Sequence, residues 1–285
     1  MPTSDPPSMR SWLGLSQADR DAAYNNRGAI GNAEELILAR REASNEVRAR
    51  FRCHLDVPYG VHPRERWDIF PGRDPNAPCL VFIHGGYWQG GDKTDFSACV
   101  RGALEKGWSA ALCGYPLAPE SSLTQIVDRI VSALVWFDDH RAGYEAGGPL
   151  VLSGWSAGAH LAAISARHDA VQAVLCISGI FDLAPLRDTF LNAKLNLSDQ
   201  EIARFSPIRL EPIEKPFIVA FGADELPELQ RQSREFFRVR QDAGVPGSLT
   251  VLPGANHLTV LEELGRARSV LTEATQVALS IAARS

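Results

Sequence analysis

From residue 79 onward the chain alternates short, near-continuous apolar runs with longer stretches whose apolar positions recur at helical spacing. The runs at Cys79 to Ile83, Trp108 to Cys113, Leu150 to Ser153, Val171 to Ile177, Phe217 to Phe221 and Ser248 to Leu252 predict strands. Helices are predicted near Asp95 to Lys106, Ser122 to His140, Ala157 to Arg167, Pro227 to Ala243 and Ser269 to Ala283. Strands that do not alternate with polar residues are buried on both faces, and strands separated by helices pair in parallel. The predicted class is α/β, with a mostly parallel sheet of about eight strands and helices on both faces. Upstream, Arg50 to Val57 and Arg64 to Phe70 flank the turn-prone Pro58-Tyr59-Gly60, and Trp67 and Ile69 alternate with polar neighbours. That pattern predicts an antiparallel hairpin. Residues 1 to 48 are polar with helical spacing, broken at Tyr24-Asn25-Asn26-Arg27, and are read as an N-terminal arm before a catalytic domain at 49–285. Between Ile180 and Pro216 the rhythm lapses, which suggests a small cap-like insertion at 183–205.

One junction in this pattern carries chemistry. Gly154-Trp155-Ser156-Ala157-Gly158 stands where a buried strand ends and an alanine-rich helix begins, the setting of a strained turn that presents a serine as a nucleophile. The turn crowds the backbone, so its flanking positions favour residues without a Cβ. A serine hydroxyl needs a base to take its proton and a carboxylate to hold that base. In this architecture they follow in the order acid, histidine, each just past a strand end. Phe217 to Phe221 leads into Gly222-Ala223-Asp224-Glu225, and Thr250-Val251-Leu252 leads into Pro253-Gly254-Ala255-Asn256-His257. His257 is the only histidine after residue 168 and is taken as the base. Asp224 is taken as the acid, although it would equally serve as an acidic residue at the start of the helix near Pro227. Glu225 is the alternative carboxylate and Asp182 a weaker one. Far upstream, His84-Gly85-Gly86-Tyr87-Trp88 follows the strand Leu80 to Ile83, where the fold places oxyanion donors.

Composition narrows the picture further. With 45% apolar and 22% charged residues the 285-residue chain has ordinary globular usage, so disordered, collagen-like and coiled-coil readings fall away. A net charge of −5 without a basic run argues against a nucleic-acid surface. Met1 to Pro7 lacks a basic start and an apolar segment, and no run of apolar residues reaches membrane-spanning length, so no membrane partner and a cytoplasmic location are expected. Five scattered cysteines at 53, 79, 99, 113 and 176 are read as reduced thiols, and the seven histidines show no metal pattern. His160, one turn past Ser156, is expected to pack against the sheet. No cofactor and no metal are called for.

These residues resemble the α/β-hydrolase superfamily and, more narrowly, the serine-type kynurenine formamidases, or arylformamidases. The resemblance is carried by His84-Gly85-Gly86-Tyr87-Trp88-Gln89, by Gly154 to Ala162, by Ile177-Ser178-Gly179-Ile180-Phe181-Asp182-Leu183 and by Gly222 to Phe237, and spans about residues 50 to 270. It implies Ser156, Asp224 and His257 as catalytic residues, Gly85, Gly86 and Ala157 as backbone oxyanion donors, and Tyr87, Trp88 and Trp155 as walls of a substrate pocket. Trp155 departs from the pattern, since histidine is common there among relatives. The implied substrate is N-formylkynurenine, cleaved to kynurenine and formate through a formyl-serine. The broader alternative is a carboxylesterase of the same fold. The implied partner is thus a small aryl formamide or ester, and a homodimer is an admissible assembly.

Overall fold

The computed structural model describes Trp12 and residues 14–284. Met1 to Pro7, on which the expectation about location partly rests, lies outside the described residues. Eight strands form one sheet in the order β1-β2-β4-β3-β5-β6-β7-β8. They are β1 (His54–Pro58), β2 (Arg66–Phe70), β3 (Cys79–Ile83), β4 (Ser109–Cys113), β5 (Leu150–Trp155), β6 (Val171–Ile177), β7 (Phe217–Gly222) and β8 (Gly247–Leu252). β2 pairs antiparallel with both β1 and β4, and every other pairing is parallel. The predicted hairpin and parallel sheet are both present. β5 runs two residues further than its apolar run, delivering the chain directly to Ser156.

The unbroken apolar strands fill two cores because successive side chains leave opposite faces of the sheet. Val81, Ile83, Leu152 and Cys176 pack on one side with Ile126, Ile130, Leu134 and Phe137 of the helix Leu123–His140. Leu80, Phe82, Val151 and Leu175 pack on the other with Phe96, Val100, Leu104 and Leu271. The segment predicted as one helix near Asp95 is a 3-10 turn at Lys93–Val100 followed by a short α-helix at Arg101–Glu105. All five cysteines are free, and four of them are buried. Among the described residues no helix is long and apolar enough to cross a membrane.

The parallel strands send their C-terminal ends to one rim of the sheet. The loops after β3, β5, β7 and β8 therefore meet there, the place where open α/β sheets bind ligands. Tyr24 to Arg27 separates helices Gln17–Ala22 and Ala33–Arg50, as the sequence pattern predicts. The second of these lies against Lys93–Val100, with Ser44 Oγ accepting from the Ala98 amide at 3.0 Å. This arm ends up over the rim.

Candidate active site

Ser156 sits on a sharp turn between β5 and the helix Ala157–Ser165, with φ 58° and ψ −121°. A side chain rarely adopts this backbone conformation, and the surrounding contacts hold it there. The Ser156 amide donates to the Ile177 carbonyl at 2.8 Å, while its own carbonyl accepts from Ala159 and His160. The glycine spacing has a steric reason. A Cβ on Gly154 would lie 2.2 Å from the Gly158 oxygen, and one on Gly158 would lie 2.0 Å from the Ile83 oxygen. The helix thus starts in direct backbone contact with the strands before it.

His257 occupies the loop after β8, only 4% exposed. Its Nδ1 lies 2.9 Å from Glu225 Oε2. The other oxygen of that carboxylate accepts from the Gly222 amide at 2.7 Å and from the Ser178 hydroxyl. Glu225 is therefore buried but fully partnered, as a buried charge must be. Asp224 is exposed on the other side of the turn. This corrects the sequence expectation: of the two adjacent acids, the turn after β7 directs the second one inward. Nor does Asp224 cap the following helix, whose N-cap is Leu226 without a side-chain bond. Asp182 is taken up elsewhere, 3.0 Å from Arg209.

A cavity of about 370 Å³ brings Ser156 and His257 together with Gly85, Gly86, Tyr87, Phe96 and Trp155. Gly86 has φ +117°, and a Cβ on Gly85 would lie 2.6 Å from Trp155 Cε3 and 3.0 Å from Ser156 Cβ, so only glycine lets this loop approach the serine. Ala157 is the first residue of its helix, so its N–H has no partner within that helix. The loop is held from behind by His84. Its ring stacks on Tyr115 at 4.4 Å, its Nδ1 lies 2.8 Å from the Gly85 carbonyl, and burial lowers its pKa to about 4.

The three aromatic residues assigned to the pocket take different places. Tyr87 lines it with φ +52°, and its hydroxyl accepts from Asn26 at 2.8 Å and donates to the Tyr24 carbonyl at 2.6 Å. Trp155 also lines it. Its indole N–H donates to the His257 carbonyl at 2.9 Å, and its ring lies 4.7 Å from the imidazole. Trp88 does not line it: its left-handed backbone turns the indole into the core, edge-on to His160. His160 is itself buried, with Nε2 2.7 Å from the Phe205 carbonyl, in the packing role expected of it.

The cover over this cavity also differs from expectation. Residues 183–205 form short turns and helices but contribute none of its lining. Asn26, Arg27, Glu34, Ile37, Arg40 and Arg41 of the N-terminal arm do. The insertion instead braces the arm: the Phe190 amide donates to Asp21 at 2.7 Å, and Gln17 donates to the Asp188 carbonyl at 2.9 Å. No local pattern in a polar helix reports what it will cover forty or more residues later. Ser178 was likewise missed as a partner of Glu225, since their meeting depends on β6 lying beside β7.

The BD-FAE family model matches residues 68–182. A kynurenine formamidase of Drosophila melanogaster is 30% identical over 252 residues, covering 81% of this chain and 83% of that protein. The chain belongs to the kynurenine formamidase family of α/β-hydrolases. A kynurenine formamidase of Danio rerio is 25% identical and covers 93% of this chain and 97% of that one. A crystal structure from Silicibacter sp. tm1040, provisionally described as a thioesterase, is 28% identical with a TM-score of 0.80, covering 90% of this chain and 98% of that one. Two kynurenine formamidases and a structure provisionally described as a thioesterase are thus among the proteins that this chain resembles over most of its length. Enzymatic hydrolysis follows from membership; the choice of acyl group does not.

Proposed function

We propose that the chain hydrolyses aryl formamides of the N-formylkynurenine type through a formyl-serine. The observation that carries this reading is the Glu225–His257 contact of 2.9 Å, in a cavity shared with the strained Ser156. Glu225 engages Nδ1, which leaves Nε2 as the nitrogen that exchanges a proton. Ser156 Oγ attacks the formyl carbon as His257 takes its proton. The oxyanion is held by the N–H groups of Gly85, Gly86 and Ala157, each such donor contributing about 10²- to 10³-fold in rate. His257 then protonates the leaving arylamine nitrogen, and the C–N bond breaks. Water attacks the formyl ester with His257 as base, releasing formate and restoring Ser156. Tyr87, Phe96 and Trp155 supply an aromatic surface for the aryl ring.

The kynurenine formamidases among the relatives support the formamide reading. A second reading is a carboxylesterase with the same machinery, since the structure provisionally described as a thioesterase shares this scaffold. Steady-state kinetics on N-formylkynurenine and p-nitrophenyl acetate separate them. The formamide reading expects kcat/KM for N-formylkynurenine to equal or exceed that for the ester. A value orders of magnitude lower overturns it in favour of the esterase.

A further inference from the structure

The arm brings three arginines to the rim of the cavity, where Glu34 of the arm and Asp95 of the turn Lys93–Val100 supply two carboxylates that could neutralise them. Arg27 is paired with Glu34. Arg41 is paired with Asp95 at 3.1 Å. Arg40 has no carboxylate within ion-pair distance among the described residues. Its Nε donates to the Asp95 carbonyl at 3.2 Å, which leaves the two terminal nitrogens of the fork for another acceptor. Its position is set by aromatic faces: the guanidinium carbon lies 4.4 Å from the Phe96 ring centre and 5.7 Å from that of Trp155. Both rings line the cavity that holds Ser156, and Trp155 also contacts His257. A planar cation held over two rings that wall the cavity, with its two terminal nitrogens uncommitted among the described residues, matches a carboxylate in shape and charge.

We propose that Arg40 is a specificity-determining residue that binds the carboxylate on the leaving-group side of the substrate, and so sets how strongly the enzyme prefers the acid over an uncharged analogue. This rests on the formamide reading of the site. Burial against the rings lowers the pKa of Arg40 from its usual value, in keeping with a cation partly removed from water. A carboxylate in reach restores the interactions that burial removes. The arm thereby acts as a selective wall: Ser156, His257 and Glu225 would cleave any small acyl group that fits, while the arm chooses what the acyl group leaves from.

The test compares N-formylkynurenine with its carboxamide, which differs only in charge at the carboxyl end. Wild type is expected to favour the acid in kcat/KM by about tenfold to a hundredfold, the range of a charge-assisted hydrogen bond. In Arg40→Gln this preference should collapse towards one, chiefly through KM, and Arg40→Lys should keep part of it. A wild type without the preference overturns the proposal, as does an Arg40→Gln that loses equally on both compounds. Calorimetric titration of kynurenine and kynurenine carboxamide into Ser156→Ala, with and without Arg40→Gln, reads the same contrast without turnover. If N-formylkynurenine is not hydrolysed but Arg40-dependent discrimination persists in the titration, the formamide reading fails and the carboxylate site stands. If hydrolysis proceeds without discrimination, the reverse holds.

Discussion

Asp224 and Glu225 differ by one position, yet one is exposed and the other is buried against His257. Both follow a strand end, both precede a helix, and both suit the chemistry, so nothing in the linear order separates them. The Gly222 amide and the Ser178 hydroxyl separate them in space, since together they fix the inward carboxylate. Glu225→Gln is expected to lower kcat by about 10²- to 10⁴-fold, because an amide can hold the wrong imidazole tautomer. Asp224→Asn should leave kcat within about twofold, as expected of a substitution at an exposed site. Measuring kcat for both variants decides the assignment, and the opposite ranking would restore Asp224. Gly85→Ala should cost at least as much as loss of an oxyanion donor, about 10²-fold, because its Cβ would strike Trp155 and crowd Ser156.

At the scale of elements, the elbow and the arm have opposite legibility. The strand, the glycines and the helix of the elbow are contiguous, so local pattern marks the turn, and Ile177 and Ile83 of the neighbouring strands then fit against it. The arm's role is non-local, carried by Tyr24 and Asn26 meeting Tyr87 more than sixty residues away. Tyr87→Phe should leave the Tyr24 carbonyl and the Asn26 amide without that partner and cost about 1–3 kcal/mol of stability. Urea unfolding would show this as a lower midpoint with the same slope. Limited proteolysis of the variant should also cut first between residues 14 and 32. An unchanged midpoint and cleavage pattern would mean that the Tyr87 hydroxyl has no part in holding the arm, which its other contacts then secure.

Across the whole molecule, two buried histidines link stability to pH. Burial lowers the pKa of His84 and of His160 to about 4, from an ordinary value of 6.5. In the unfolded chain both take up protons below pH 6.5, whereas the folded protein does not until near pH 4. Stability is therefore intact above pH 6.5 and is lost as pH falls through the window between these values. Each histidine should account for about 2 kcal/mol between roughly pH 7 and pH 5. Urea midpoints for wild type and His160→Gln test this, and the variant should lose stability less steeply with acid. Equal slopes would show that burial of His160 has no part in acid sensitivity.

Periodicity along the chain was enough for the α/β class, the hairpin and the parallel sheet, and the glycine-flanked junction and the order of strand ends were enough to put Ser156 and His257 at the sheet's rim, because each depends on neighbours within a few residues or on a fixed order of strand ends. Which of the two adjacent carboxylates meets His257, the inward turn of Trp88 and the replacement of residues 183–205 by the arm as the cavity's cover were out of its reach. These depend on which loops meet at the sheet's rim and on which face of a turn is buried, and both are set by contacts between residues far apart in sequence. Burial and pairing energies act between such residues only after the strands have taken their order, so they leave no periodic trace in the chain itself.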